Sequence, residues 1–450
     1  MASAAEQLAA SMNFGAFAKA TELKKRLWFT LGALIVYRLG TYIPVPGVDP
    51  SALAQIFEQQ SQGMLGMFDM FAGGSLGRMT IFALSIMPYI SASIIMQLLA
   101  AVSPKLEQLK KEGETGRKKI NQYTRYGTVL LASVQAYGIA VGLEGMQGPG
   151  GQSAVIDPGM FFRLVTVITL TGGTIFLMWL GEQITQRGVG NGISLIIFSG
   201  IVANLPGAVG STLELGRTGA LSTGVILFVM VMAVAVIGFI VFMERAQRRL
   251  VVQYPKRQVG NKMFGGEHSH LPIKLNSSGV IPLIFASSLL LMPLTVAGFS
   301  GGGTAAPEWL TAITAMLGRG QPLYLAFYVS LIVFFAFFYT SIVFNPEDTA
   351  DNLKKNGGFI PGIRPGKNTA NYIHYILMRL TAVGAVYLSL VAILPELLIS
   401  QYNVPFYFGG TSLLIVVSVT MDTVAQIHSH LLAHQYEGLI KKSKLKGRRG

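Results

Sequence analysis

Six histidines are the side chains of this sequence best suited to holding a metal ion or moving a proton. Two of them, His430 and His434, are four residues apart and would share one helix face, a spacing that suits a pair of zinc ligands. Thiolate ligands are excluded because the chain contains no cysteine. The pattern favours ordinary histidines at a membrane interface over a metal site.

The sequence carries no recognisable enzyme motif. A GxxxxGK[ST] phosphate loop is absent, so any nucleotide hydrolysis that the protein needs has to be supplied by another chain. We therefore predict a protein that is not an enzyme and that holds no cofactor and no metal.

A basic side chain in a constrained turn is a candidate for binding a partner. Arg364 lies between Gly362 and Gly366 and precedes Pro365, residues that bend and restrict the chain. A guanidinium on a rigid tip presents five donors and has little conformational entropy left to lose. The segment 345–367 is either a docking tip or a plain solvated turn, and the residues alone leave both interpretations open.

A short apolar segment, 64–71, has the sequence MLGMFDMF and is followed by Gly73, Gly74 and Gly77. The segment is far too short to cross a membrane. It could lie on the outer face as an interfacial helix. It could also fold back into the protein as a mobile element, in which Met and Phe adapt to irregular walls and the glycines act as a hinge.

Isoleucines recur at helical spacing in two places. Ile86 and Ile90 flank Pro88, and Ile193 and Ile197 are also four residues apart. Side chains at this spacing share one face of a helix. Ordinary packing explains such pairs as well as a function does, so the spacing alone assigns them no role.

The elements that must position these residues are membrane spans. Apolar residues make up 51% of the chain and charged residues 12%, and the mean hydropathy is +0.51, which indicates a polytopic membrane protein. Hydropathy predicts an all-α protein with ten transmembrane helices, without a cleavable signal peptide. The predicted spans are 27–43, 79–102, 127–143, 161–180, 193–209, 221–243, 279–299, 321–344, 380–399 and 411–432.

The positive charges predict the orientation of these spans. Thirty of the 35 Lys and Arg residues fall on one side if the chain crosses ten times, and cytoplasmic segments keep such an excess. The N-terminal segment 1–26 and the basic tail 433–450 are then both cytoplasmic. The same bias accounts for the net charge of +14, although an acidic partner would also explain it. Two cytoplasmic loops, 244–278 and 345–379, are long enough to be functional or disordered.

The ten spans divide into two halves, 27–209 with spans 1–5 and 221–432 with spans 6–10, joined by an outer loop at 210–220. Because five is an odd number, the second half enters the membrane from the opposite side and the halves are inverted. Secondary transporters share this arrangement but need ionisable groups near mid-membrane. A secondary transporter and a structural scaffold are two interpretations of this arrangement. The charged residues in or near the spans cluster towards the span ends: Arg38, Glu182, Arg379, Glu396 and Asp422.

Five long runs of this sequence are distinctive. They are IFALSIMPYISASIIMQLL (81–99), KKEGETGRKKINQYTRYG (110–127), FLMWLGEQITQRGVGNGIS (176–194), VFNPEDTADNLKKNGGFIPGIRPG (343–366) and VPFYFGGTSLLIVV (404–417). These runs closely resemble the SecY family, the channel subunits of the Sec protein translocase. The resemblance covers nearly the whole chain and thins in the first twenty or so residues, at 210–220, at 303–320 and in the final tail.

The resemblance implies two inverted five-helix halves around a central hourglass pore, in the bacterial inner membrane. Such a channel passes unfolded preproteins across the membrane. It also inserts membrane proteins through a lateral gate, at which the second and third spans face the seventh and eighth. The implied partners are the small membrane subunits SecE and SecG, the motor ATPase SecA, the ribosome, preprotein signal sequences and the phospholipid bilayer.

The resemblance also implies roles for residues at matching positions. A ring of apolar side chains forms the waist of the pore: Ile86, Ile90, Ile193, Ile197, Ile284 and Ile415. A plug near 63–75 blocks the resting pore: Met64, Leu65, Met67, Phe68, Met70, Phe71, Gly73 and Gly74. Basic residues of the two long loops dock the motor or the ribosome: Arg364, Lys256 and Arg257.

Overall fold

The computed structural model describes residues 21–60, 69, 72–145, 153–219, 222–254, 257–259, 262–264, 268–300, 321–402 and 410–446. This part of the chain is mainly helical. In chain order the helices are α1 (Thr21–Gly40), α2 (Pro50–Gln60), α3 (Met87–Val102), α4 (Pro104–Lys111), α5 (Glu114–Gly145), α6 (Met160–Arg187), α7 (Gly192–Arg217), α8 (Thr223–Arg245), α9 (Ile281–Ser300), α10 (Pro322–Val343), α11 (Pro346–Lys355), α12 (Lys367–Tyr402) and α13 (Gly410–Lys446).

Each of the ten predicted spans coincides with one helix over most of its length. Within the described residues, seven helices are long and apolar enough to cross a membrane, or eight if the bent pair α3 and α4 is one span. Helix α4 turns away from α3 by 99° at Ser103. The prediction of a helical membrane protein is therefore confirmed, whereas the number of ten spans stays a prediction.

The second predicted span begins eight residues too early. The sequence predicts a helix from Met79, but α3 starts only at Met87 and residues 72–86 form turns. Met79 and Ser85 have positive φ angles of 44° and 52°, which a right-handed helix does not allow. The amide of Ile81 donates to the carbonyl of Ile43 at 3.0 Å, so this apolar segment is tied to the chain that follows α1.

The chain divides into two compact units. The first consists of Met1–Asn204, Gly298–Thr304 and Val419–Gly450, and the second of Leu205–Ala297 and Ala305–Ser418. In the first unit, α6 packs against α1 and α5, and α5 also packs against α3. Arg125 of α5 forms two hydrogen bonds with the Glu182 carboxylate of α6, at 3.0 and 2.6 Å.

In the second unit, α10 packs against α12, and the loop after α8 contains β structure that the sequence analysis did not predict. Gln247 pairs with Lys274 in one antiparallel ladder, and Arg257 pairs with Phe264 in the other. The strands are β1 (Gln247–Gln253), β2 (Arg257–Val259), β3 (Lys262–Phe264) and β4 (His268–Lys274), with β1 paired to β4 and β2 to β3. Three residues separate β1 from β2, and three separate β3 from β4. The two ladders therefore have the same register.

Candidate functional site

Four of the predicted pore isoleucines belong to the first unit and lie where helices begin. Ile86 is the residue before the first turn of α3, and its carbonyl accepts a hydrogen bond from the amide of Ile90 at 3.1 Å. Pro88 sits in the first turn, where a missing N–H group does no harm. Ile86 and Ile90 are buried. Ile193 and Ile197 occupy the first two turns of α7, where Ile193 is half-buried and Ile197 is buried.

The start of α7 is fixed by two side chains from distant parts of the sequence. The amide of Val189 donates to Thr30 Oγ1 of α1 at 3.0 Å, and this contact is buried. The amide of Gly190 donates to Gln426 Oε1 of α13 at 2.9 Å. Gly190 has a φ angle of +93°, a conformation that glycine adopts without steric strain. Helices α1 and α13 thereby set the position of Ile193.

The other two pore isoleucines belong to the second unit and also lie near helix starts. The amide of Ile284, in the first turn of α9, donates to the carbonyl of Val280 at 3.2 Å. Ile415 lies in the second turn of α13 and is fully buried. Five of the six isoleucines therefore lie within the first two turns of their helices, and Ile86 immediately precedes its helix. That they form one ring stays a prediction, because they are divided between two units.

Six of the eight predicted plug residues lie outside the described residues: Met64, Leu65, Met67, Phe68, Met70 and Phe71. Gly73 and Gly74 are described and have φ angles of +69° and +80°. Asp69, which precedes them, accepts a hydrogen bond at Oδ1 from the amide of Gly77 at 2.8 Å. Burial raises the pKa of the Asp69 carboxyl, against the opposing effect of this amide, of the Leu76 amide and of the Arg78 charge. The glycines thus form part of an ordered turn that leads towards α3.

The predicted docking residues lie in the two long loops. Arg364 is exposed in a turn between Gly362 and Gly366, whose φ angles are +80° and +106°. Arg257 is the first residue of β2, and Lys256 lies outside the described residues. The structure therefore places Arg364 on a constrained tip, and its docking role stays a prediction.

The two loops share a hydrophobic core, which the sequence analysis missed. Leu250 of β1 and Ile273 of β4 are buried together with Ile360, which follows α11. Leu250 and Val252 are buried and Val251 between them is exposed, as in a strand with one buried face. The sequence carries no such alternation, because these three residues form one short apolar run. Four residues of the same core come from α12: Ile373, Ile376, Leu377 and Leu380. We call this assembly of β1, β4, residues 356–366 and the start of α12 the loop module.

No group of three or more His, Asp or Glu side chains within the described ranges could hold a metal ion. His430 is exposed on α13, and the side chain of His434 lies outside what the structure describes.

Together, the apolar helices and the ordered loops define a polytopic helical membrane protein. The SecY family model matches residues 80–424 of this chain. The protein translocase subunit SecY of Escherichia coli (strain K12) is 57% identical over 426 residues, which cover 95% of this chain and 96% of the relative. The corresponding subunit of Vibrio cholerae serotype O1 is 56% identical over 429 residues, with 95% and 96% covered. The chain belongs to the SecY family.

Solved structures with the same fold are more distant in sequence. A protein-conducting channel aligns with a TM-score of 0.64 at 20% identity, covering 91% of this chain and 92% of that one. A SecY structure concerned with its plug domain gives a TM-score of 0.61 at 20% identity, with the same coverage. Sec61 in the canine ribosome–channel complex from the endoplasmic reticulum gives 0.62 at 19% identity, again with 91% and 92% covered. These structures share the fold of this chain.

Proposed function

We propose that this chain is the channel-forming subunit of a bacterial Sec translocase. It would pass unfolded preproteins across the inner membrane and release apolar segments sideways into lipid through a lateral gate. The observation that carries the proposal is the 57% identity to a protein translocase subunit SecY over nearly the full length of both chains. The alternative interpretation of the chain as a secondary transporter has no comparable support from the relatives.

In this proposal the six isoleucines form the waist of the pore. A translocating polypeptide is extended and presents every kind of side chain, so the waist has to be chemically indifferent. Branched apolar side chains form a yielding constriction that excludes water when closed, whereas polar groups would coordinate ions. Placement near helix starts supports this role, because the first turns of separate helices can converge without filling the passage along its length.

The segment 64–74 would act as the plug of the resting channel. Its short apolar run cannot span a membrane, and its C-terminal glycines adopt backbone conformations that only glycine reaches without strain. A distant structure of the same fold is described as having a plug domain that stabilises the closed state and maintains a membrane seal.

The loop module and the segment 256–257 next to it would bind the partner that drives transport. Arg364, Lys256 and Arg257 would contact the SecA motor or the ribosome, and SecE and SecG would accompany the chain in the membrane. A ribosome-bound relative of the same fold, Sec61, supports the ribosome as a partner. On this view the chain is not an enzyme, since the energy for transport comes from a partner.

The inverted halves, 27–209 and 221–432, would form the two sides of the channel, with ten spans and both termini in the cytoplasm. The excess of Lys and Arg on one side supports this orientation. The helices at the lateral gate would separate to admit signal sequences. These sequences are apolar helices of roughly 10 to 20 residues that partition into lipid.

The experiment is purification of the chain from membranes in mild detergent, identification of associated small subunits, and reconstitution into vesicles. We expect two small membrane proteins to copurify, and ATP with a SecA-type motor to drive a preprotein into the vesicle lumen. A complex that copurifies intact but moves no preprotein, while it transports a small solute along an ion gradient, would contradict the proposal.

A further inference from the structure

The turn that follows the plug is an ordered loop, which we call the plug stem and define as residue 69 with residues 72–80. The amide of Gly74 donates to the carbonyl of Asp69 at 2.9 Å. The hydroxyl of Ser75 donates to the carbonyl of Ala72 at 2.6 Å, and the amide of Thr80 donates to the carbonyl of Ser75 at 3.0 Å. These bonds give the stem a fixed shape. A hydrogen bond to one of its carbonyls therefore restrains the whole stem.

Two arginines converge on one main-chain oxygen of this stem. The carbonyl of Gly73 accepts from Arg38 Nη1 of α1 at 3.1 Å and from Arg78 Nη2 at 3.3 Å. Arg78 Nε also donates to the carbonyl of Gly74 at 2.9 Å. Hydrogen bonds from a guanidinium are roughly twice as strong as bonds between neutral groups. Arg78 belongs to the stem itself, so its two bonds brace the stem internally, while the bond from Arg38 ties the stem to α1.

An aromatic ring lies against both cations. The guanidinium carbon of Arg78 is 4.3 Å from the centroid of the Tyr42 ring, and that of Arg38 is 5.7 Å away. The negative face of an aromatic ring attracts cations at these distances. Tyr42 therefore offsets the repulsion between two positive charges that share one acceptor.

Glycine is needed where the arginines bind. A Cβ atom on Gly73 would stand 2.9 Å from Arg38 Nη1 and 2.9 Å from the Cα of Gly200 in α7. The positive φ angle of Gly73 would strain any other residue as well. Gly200 is three residues from Ile197, so the stem contacts α7 about one turn from a predicted pore residue.

We infer that Arg38 and Tyr42 form a latch that positions the plug by holding its stem. Arg38 binds the carbonyl of Gly73, and the Tyr42 ring binds the guanidinium of Arg78, which belongs to the stem. This inference rests on the proposed role of 64–74 as the plug. Because these contacts use a carbonyl and Arg78, the latch does not depend on the side chains of the apolar segment 64–71. When the stem leaves, Gly73 exchanges Arg38 for water, Arg38 stays on α1, and Arg78 moves with the stem.

The first test measures release of the stem directly. Ser75 is fully buried, and the chain contains no other residue that a thiol reagent would label, since it has no cysteine. We expect a Ser75→Cys variant in the purified complex to react slowly with a maleimide. Adding Arg38→Gln and Arg78→Gln should raise the labelling rate on the order of tenfold, the factor that corresponds to about 1.4 kcal/mol. An unchanged rate would overturn the latch.

The second test measures the resting channel in planar bilayers. The Arg38→Gln, Arg78→Gln double variant should raise ion conductance and relax selection against defective signal sequences, while thermal stability and complex assembly stay near wild type. Arg217→Gln is the matched control, because it removes one exposed charge whose guanidinium only faces Glu214 at 3.7 Å. Lysine at positions 38 and 78 keeps the charge but loses the planar fork, so it should give a smaller increase.

A deletion of 64–71 separates the latch from the plug. If the deletion raises conductance and the arginine substitutions add nothing further to it, both act on the same element, as the latch requires. If the deletion leaks while the arginine double variant stays closed and unlabelled, the latch is wrong and the plug stands. If the deletion does not leak although the arginine variant labels faster, the plug function is wrong and the grip on the stem stands. Additive leaks would show that the arginines act elsewhere and would overturn the latch.

Discussion

Gln253 at the end of β1 and Phe359 in the loop after α11 pair through their main chains in both directions. The amide of Gln253 donates to the carbonyl of Phe359 at 2.9 Å, and the amide of Phe359 donates to the carbonyl of Gln253 at 3.0 Å. The residues are more than one hundred positions apart in the sequence. The hairpin and the tip that carries Arg364 are therefore joined. A partner that binds one of them should also shift or restrain the other.

Gly358 should be essential for this pairing. A Cβ atom there would lie 2.9 Å from Tyr254 Cε1 and 3.1 Å from Val252 Cγ1, so Gly358→Val should push the loop away from β1. We expect a loss of about 1–3 kcal/mol from overpacking, with faster amide exchange at 268–274 and 356–366. Gly362→Ala is the control, because its Cβ meets nothing within 4 Å and only its positive φ angle is strained. Equal exchange in both variants would contradict the shared core.

Arg364→Glu should stop motor-driven export without unfolding the protein. Within the described part of the chain the Arg364 guanidinium has no hydrogen bond or ion pair, and only its carbonyl accepts one, from Thr369 Oγ1 at 3.1 Å. Charge-assisted hydrogen bonds contribute about 1.5–3 kcal/mol each, so ATP-driven import of a preprotein into vesicles should fall roughly tenfold or more. The import rate of Arg364→Lys should lie between those of the wild type and the Glu variant. Wild-type rates for the Glu variant would remove the docking role, and a parallel loss of thermal stability would make the tip structural.

Replacing several of the six pore isoleucines with Ser should wet the constriction. We expect resting ion conductance to rise several-fold in planar bilayers, because polar side chains admit water and ions where branched apolar ones exclude them. Ile201→Ser, at a buried position two turns further along α7 from Ile193, tests whether any polar substitution in a helix has this effect. A folded multiple variant with unchanged conductance would refute the ring.

Asn276 should stabilise the junction between the hairpin and α9. Its side chain is 4% exposed, and its Nδ2 donates to Glu244 Oε1 at 2.8 Å and to the carbonyl of Gly279 at 3.1 Å. Asn276→Ala should lower the free energy of unfolding by about 1–3 kcal/mol, measured by thermal unfolding in detergent. Ser277→Ala should change it less, because this half-buried neighbour donates from its hydroxyl to the Lys274 carbonyl at 2.9 Å in a hydrogen bond that is exposed to solvent. Similar melting of both variants would show that the buried network contributes nothing measurable.

Local patterns predicted the helices well but not their ends. Each segment that hydropathy marked contains a helix, because apolar content is a property of each segment by itself, whereas the number of ten spans stays a prediction. Hydropathy failed at Met79, where apolar residues form turns that are held by contacts with the chain after α1. Composition cannot distinguish an apolar turn from an apolar helix when long-range hydrogen bonds decide between them.

The sequence analysis named residues of the candidate site but not the contacts that position them, because those contacts also join distant segments of the chain. The resemblance assigned roles to the six isoleucines and Arg364. The structure adds that the isoleucines lie at or near helix starts and that Arg364 lies on a tip bounded by glycines. The grip of Arg38 on Gly73 and the pairing of Gln253 with Phe359 could not be foreseen. Both join residues far apart in sequence through main-chain atoms, which leave no mark on side-chain patterns.

The common register of the two β ladders limits how the hairpin can change in length. Three residues separate β1 from β2 and three separate β3 from β4, so changes of equal length in both segments preserve the register of the two ladders. An unmatched insertion would slip β2 against β3 by one position and turn alternate side chains to the opposite face. An engineered tag or spacer should therefore be divided evenly between the arms or placed between Val259 and Lys262, where the chain reverses.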